Sequence, residues 1–130
     1  MDASAIAELL LDLPLARAAE PHVFNPAEAA AAPDLLNAEV LHVLRRRERR
    51  GLLEARRSHD ALEDLLDLPI ALYPTLSLLE RAWTLRLNLS GYDAMYAALA
   101  EALGVAVVTA DARFAAAARR YARVPVVFLS

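Results

Sequence analysis

The sequence predicts an α/β domain with a mostly parallel central sheet flanked by helices, built as one unit over residues 1–130. Three observations carry this expectation. Short apolar runs at 70–73, 105–109 and 124–129 alternate with longer helical patterns, and strands separated by helices pair in parallel. The run 105–109 (VAVVT) is almost continuously apolar and β-branched, as a strand covered on both faces must be. At 130 residues the chain can bury a real core within a single domain.

Residues 3–12 (ASAIAELLLD) read as a helix starting directly after Asp2. Residues 13–33 carry Pro14, Pro21, Pro26 and Pro33 around an AEAAAA patch; they read as irregular chain with no more than a helical turn or two. Pro33 and Asp34 open a helix through Arg50, closed by Gly51. Residues 58–67 form the next helix, capped by Ser58 or Asp60 and stopped by Pro69. A short strand follows at 70–73, then a helical stretch at 76–87 with Trp83 packed beneath it. Ser90 caps a helix to Leu103 that Gly104 ends, and 105–109 is the next strand. A last helix at 113–123 leads into a last strand at 124–129.

Composition removes several kinds of chemistry. All 14 basic residues are Arg and Lys is absent, which excludes a P-loop, a Schiff-base lysine and the lysine of a phospho-receiver domain. No Cys is present, so thiolate metal sites and disulfides are excluded and the cytoplasm is the expected compartment. No run of about 18 uncharged apolar residues predicts a membrane span, and no basic region precedes the first apolar stretch as in a signal peptide. His22, His42 and His59 lack zinc-ligand spacing, and neither G-x-S-x-G nor G-x-G-x-x-G occurs. The formal charge of −3 hides a basic segment: between His42 and Arg57, seven arginines face two glutamates. Either that is a solvated helix face, or it is a landing strip for phosphates, to which Arg offers a bidentate fork.

Four acids each stand at a helix start or inside an apolar stripe. On a helical wheel with Leu36 at zero, Glu39 falls at about −60°, inside the apolar arc of Leu35, Val40, Val43 and Leu44. A carboxylate there must be paired, neutralised or metal-bound; the plainer alternative is an edge residue that reaches solvent or an Arg. Asp111 follows a strand and precedes a helix, the crevice position of an open parallel sheet, though Asp is also a favoured N-cap. Asp93 sits in Ser90-Gly-Tyr-Asp93, which fits a capping box, and Asp2 could cap the first helix. Together the four present hard oxygen donors that suit Mg²⁺ or Mn²⁺.

In order along the chain, Asp2-Ala-Ser-Ala, Pro33-Asp-Leu-Leu-Asn-Ala-Glu39-Val, Tyr92-Asp93-Ala-Met-Tyr96 and Thr109-Ala-Asp111-Ala-Arg-Phe114 closely resemble the PIN-domain toxins of the VapC family. The resemblance covers essentially the whole chain and is weakest over 13–32. It implies a three-layer PIN-like fold and a Mg²⁺- or Mn²⁺-dependent endoribonuclease toxin that cuts structured RNA. It also implies a homodimer silenced by a VapB-type antitoxin. By the same resemblance Asp2, Glu39, Asp93 and Asp111 are metal ligands and catalytic acids, with Ser4 and Thr109 as polar groups behind them. Arg46, Arg49 and Arg113 would hold RNA backbone. One departure stands out: in the family the first acid ends a buried central strand, whereas only Met1 precedes Asp2, so the first strand reads as truncated and the start of the natural product as lying upstream. A non-catalytic PIN-like interaction module and a DNA-cleaving relative are the alternative readings.

Overall fold

In a computed structural model describing residues 1–130, the helices are α1 (Ala3–Leu10), α2 (Ala16–Val23), α3 (Leu36–Arg49), α4 (Ala55–Asp67), α5 (Leu79–Thr84), α6 (Gly91–Leu103) and α7 (Ala112–Tyr121). The strands are β1 (Ala30–Pro33), β2 (Ile70–Tyr73), β3 (Val107–Thr109) and β4 (Val126–Phe128). β1 pairs with β2 and β3 with β4, both in parallel. The chain start joins the two pairs. The Met1 amine donates to Ala31 O at 3.1 Å, and the Asp2 N–H donates to Val108 O at 3.0 Å. The layer therefore runs β2, β1, Met1–Asp2, β3, β4. Its middle position holds two residues beside neighbours of four and three. Cavities open on either side of Met1, lined by Ala31, Val105 and Ala106.

Helices cover this layer. α6 packs against both β1 and β3, α1 against β3, and α7 against β3 and β4. One continuous core of 28 buried residues joins them, with Ile6, Leu36, Val40 and Phe114 almost wholly enclosed. α5 is tied on by charge: Arg81 Nε and Nη2 donate to the Glu101 carboxylate at 2.6 and 2.8 Å. The same carboxylate accepts the Arg123 N–H at 2.9 Å.

The structure corrects four expectations. Residues 13–33 are not irregular but hold α2 and β1. The three alanines of β1 favour helix by propensity. Their small side chains let the backbone lie close under neighbouring elements, and Ala30 and Ala32 are buried. α4 begins at Ala55 rather than at Ser58, so Ser58 is an interior residue whose buried Oγ has no partner. Trp83 is not packed beneath its helix; it is 66% exposed, with the Arg86 guanidinium 4.4 Å from its ring centre. Arg57 leaves the basic strip, since its guanidinium donates to Leu10 O at 2.6 Å and ties α4 to the end of α1.

Candidate active site

Each of the four acids stands at the start of a different helix. Asp2 is the N-cap of α1, Glu39 lies in the first turn of α3, Asp93 in the first turn of α6, and Asp111 is the N-cap of α7. A helix N-terminus carries roughly +0.5 of an elementary charge, which favours a nearby anion. The fold brings these four starts together at one end of the layer, where β1 and β3 also end.

Asp2 is the most deeply held, 6% exposed. Its Oδ1 accepts from the Ala5 N–H at 3.0 Å and from Ser4 Oγ at 2.7 Å, and its Oδ2 accepts from Thr109 Oγ1. Thr109 is completely buried and also accepts the Asp111 N–H at 2.9 Å, while Ser4 Oγ accepts the Ala110 N–H at 3.0 Å. Two hydroxyls thus lock α1 to the turn after β3. Burial raises the Asp2 pKa, and the bond from Thr109 opposes the rise most.

Glu39 is half-buried and accepts the Tyr96 hydroxyl at 2.8 Å. Burial raises its pKa, the Tyr96 bond counters, and the charge of Asp2 adds to the rise. Asp93 is pushed up to about 6, first by burial and then by the charges of Asp111, Asp2 and, least, Glu39. The charges of Asp111, Asp2 and Glu39 therefore all act on Asp93. Asp111 spends only Oδ1 on its cap, accepting from Arg113 N–H at 2.8 Å and Phe114 N–H at 3.1 Å; its Oδ2 has no partner in the chain. The capping box at Ser90 is half made. Ser90 Oγ accepts the Asp93 N–H at 3.1 Å, but no bond returns from the Asp93 carboxylate to the Ser90 amide.

Around this pocket lie the other predicted residues. Arg113 follows Asp111 on the exposed start of α7, and Arg46 shares an open groove with Glu39. Arg49 lies apart, in a separate groove between α3 and α4 with Ser58 and His59. Tyr96 escaped the sequence reading as a site residue, although its place three residues after Asp93 puts both on one face of α6. Another acidic cluster, His59, Asp60 and Glu63 on α4, is exposed and belongs to the outer surface.

A parallel α/β layer ending in a pocket of buttressed carboxylates defines a candidate hydrolase of the hard-metal type. Comparison with known proteins agrees. The PIN domain family matches residues 1–120. The VapC ribonuclease Mb0985 of Mycobacterium bovis is 46% identical over 87 residues, covering 67% of this chain and 68% of its own. Ribonuclease VapC12 of Mycobacterium tuberculosis is 33% identical over 115 residues, 88% of each chain. The crystal structure of PAE2754 from Pyrobaculum aerophilum superposes with a TM-score of 0.67 over 96% of this chain and 79% of that one, at 22% identity; it supports the fold alone. The chain therefore belongs to the PIN-domain family, in its VapC branch.

Proposed function

We propose that this chain is a Mg²⁺- or Mn²⁺-dependent endoribonuclease toxin acting on structured RNA, with the ion held by Asp2, Glu39, Asp93 and Asp111. One observation carries the reading: four helix starts bring four carboxylates to one end of the layer, where Asp93, raised to about 6 first by burial, also feels the charges of Asp111, Asp2 and Glu39. Like charges gathered this way, with no Arg paired to any of them, are costly without a cation. The donor set fits one, since every ligand is a hard oxygen. A bound ion would polarise the scissile phosphate and acidify an attacking water.

The chain's own residues do the rest. Ser4 and Thr109 fix both oxygens of Asp2, and Tyr96 fixes one oxygen of Glu39, so two of the carboxylates are held in place before substrate arrives. Asp111 keeps Oδ2 free and Asp93 keeps its whole carboxylate available. Arg113 and Arg46 would hold backbone phosphates on either side of the pocket, with Arg49 further out. The ribonuclease names of the relatives support RNA as the substrate. The VapC names of the relatives support work in company, as a homodimer neutralised in the cytoplasm by a VapB-type antitoxin.

The test is cleavage of structured RNA in Mn²⁺, in Mg²⁺ and in EDTA, beside calorimetric titration of Mn²⁺. Metal-dependent cleavage with Mn²⁺ binding lost in Asp111→Asn is expected. Cleavage that persists in EDTA overturns the metal assignment, and equal cutting of the matching DNA strand overturns the ribonuclease assignment. An absence of cleavage with every metal leaves the interaction-module alternative.

A further inference from the structure

The basic segment reads from sequence as either a solvated helix face or a strip for phosphates, and the structure sorts it by face. Only one stripe of α3 leads away from the acids: Glu39, His42 and Arg46, spaced at i, i+3 and i+7. These side chains line an open groove of about 540 Å³, within the roughly 300–1,000 Å³ of small-ligand sites. Leu35 and Val43 contribute apolar lining, and Tyr92 of α6 contributes its ring. At 1.5 Å per residue, Arg46 stands about 10 Å from Glu39 along the helix.

Tyr92, His42 and Arg46 make no side-chain bond that the fold depends on. Tyr92 is 65% exposed, and its hydroxyl makes no hydrogen bond in the chain. Arg46 has no carboxylate within salt-bridge distance, and His42 pairs with nothing. An aromatic ring left in water beside Asp93, an imidazole and an unpaired guanidinium, all bordering one groove that begins at a candidate ligand, form the pattern of a single-strand nucleic-acid track. There an aromatic face stacks a base and Arg meets phosphate.

We infer that this groove binds an unpaired stretch of RNA next to the scissile phosphate, with one base stacked on Tyr92 and a backbone phosphate held by Arg46 and His42. The inference rests on the ribonuclease reading above and deepens it.

The test is steady-state cleavage of a hairpin RNA in Mn²⁺ by the wild type, Tyr92→Phe, Tyr92→Ala, His42→Gln and Arg46→Gln. Tyr92→Ala should raise KM about tenfold or more, with a smaller change in kcat, and Tyr92→Phe should restore it. An abasic nucleotide at the stacked position should raise KM for the wild type and leave that of Tyr92→Ala unmoved. Arg46→Gln should weaken binding and lower the salt slope by about 1. Unchanged KM in all variants, with the wild type active, overturns this inference and leaves the ribonuclease reading standing. Unchanged cleavage with weakened inhibition by the cognate antitoxin assigns the groove to a protein partner, which also overturns it. A wild type that cuts no RNA removes the ribonuclease reading itself.

Discussion

Asp93→Asn separates a metal ligand from a helix cap most sharply. In the metal-free protein the Asp93 carboxyl rises from 3.8 to about 6, at face value about 3 kcal/mol against the ionised form. Solvent reaches this half-buried group, so the effective cost is nearer 1 kcal/mol. The folded pKa lies above the unfolded one. The stability tied to the protonated carboxyl is therefore fully present below pH 3.8 and lost as pH rises through about 6. At pH 7.5 without metal, Asn removes the buried charge and with it the repulsion, and the variant should be more stable by about 1 kcal/mol, a gain that fades towards pH 4. The Ser90 cap survives, because it uses the Asp93 backbone N–H and not its side chain. Saturating Mn²⁺ should reverse the order, since only the wild type keeps all four acids and binding stabilises the folded state. Cleavage should disappear. The assay is thermal melting at pH 4, 6 and 7.5, with and without Mn²⁺, beside RNA cleavage. An Asn variant that remains active and loses roughly 0.5–2 kcal/mol at every pH would mean that Asp93 is only a cap.

Three further outcomes are expected. Glu101→Gln should cost about 1–2 kcal/mol at pH 7, because the Glu101 pKa is lowered by its bond from Arg81; that contribution is present above pH 4.5 and lost as pH falls below it, so urea melts at pH 3 and 7 should converge and diverge accordingly. Thr109→Val should leave Asp2 Oδ2 and the Asp111 amide without a partner, costing about 1–3 kcal/mol and weakening Mn²⁺ binding by calorimetry; an unchanged affinity would show that Thr109 does not position Asp2 for the ion. Adding five apolar β-branched residues ahead of Met1 should raise Tm by about 4 °C or more: the segment would pair in the slot between β1 and β3 and remove a buried amine whose pKa is lowered by desolvation. An equal Tm by calorimetry would show that the slot does not take a strand.

How much was legible depends on how local the cause was. Ser90, Gly104 and Asp111 act within one turn of their own chain, so the limits of α6 and the start of α7 could be read directly. β3 announced itself by β-branched residues. β1 could not be read, because a run of alanines before Pro33 carries no strand signal and becomes a strand only through its pairing with residues 70–73. Trp83 was misplaced for a similar reason: apolar character argued for burial, while the ring lies against Arg86 in solvent. The four acids were legible as anomalies and as a family pattern. Their supports were legible only in part, since Tyr96 reaches Glu39 across 57 positions and Thr109 reaches Asp2 across 107.

That division also explains how a pocket of four acids can exist in a stable fold. Three of the four carboxylates carry ordinary structural work or a buttress: Asp2 caps α1, Asp111 caps α7, and Glu39 takes a tyrosine hydroxyl. All four sit at helix starts, where the backbone dipoles offset negative charge. Capping and metal binding are therefore not rival explanations of these residues. The cap bond of Asp111 occupies one oxygen and orients the other, and the helix end makes the charge tolerable until a cation arrives. Asp93 is the exception: its carboxylate accepts no hydrogen bond in the chain, and its pKa is pushed up to about 6. The fold owes it least of the four acids, and its substitution should therefore remove cleavage without destabilising the metal-free protein.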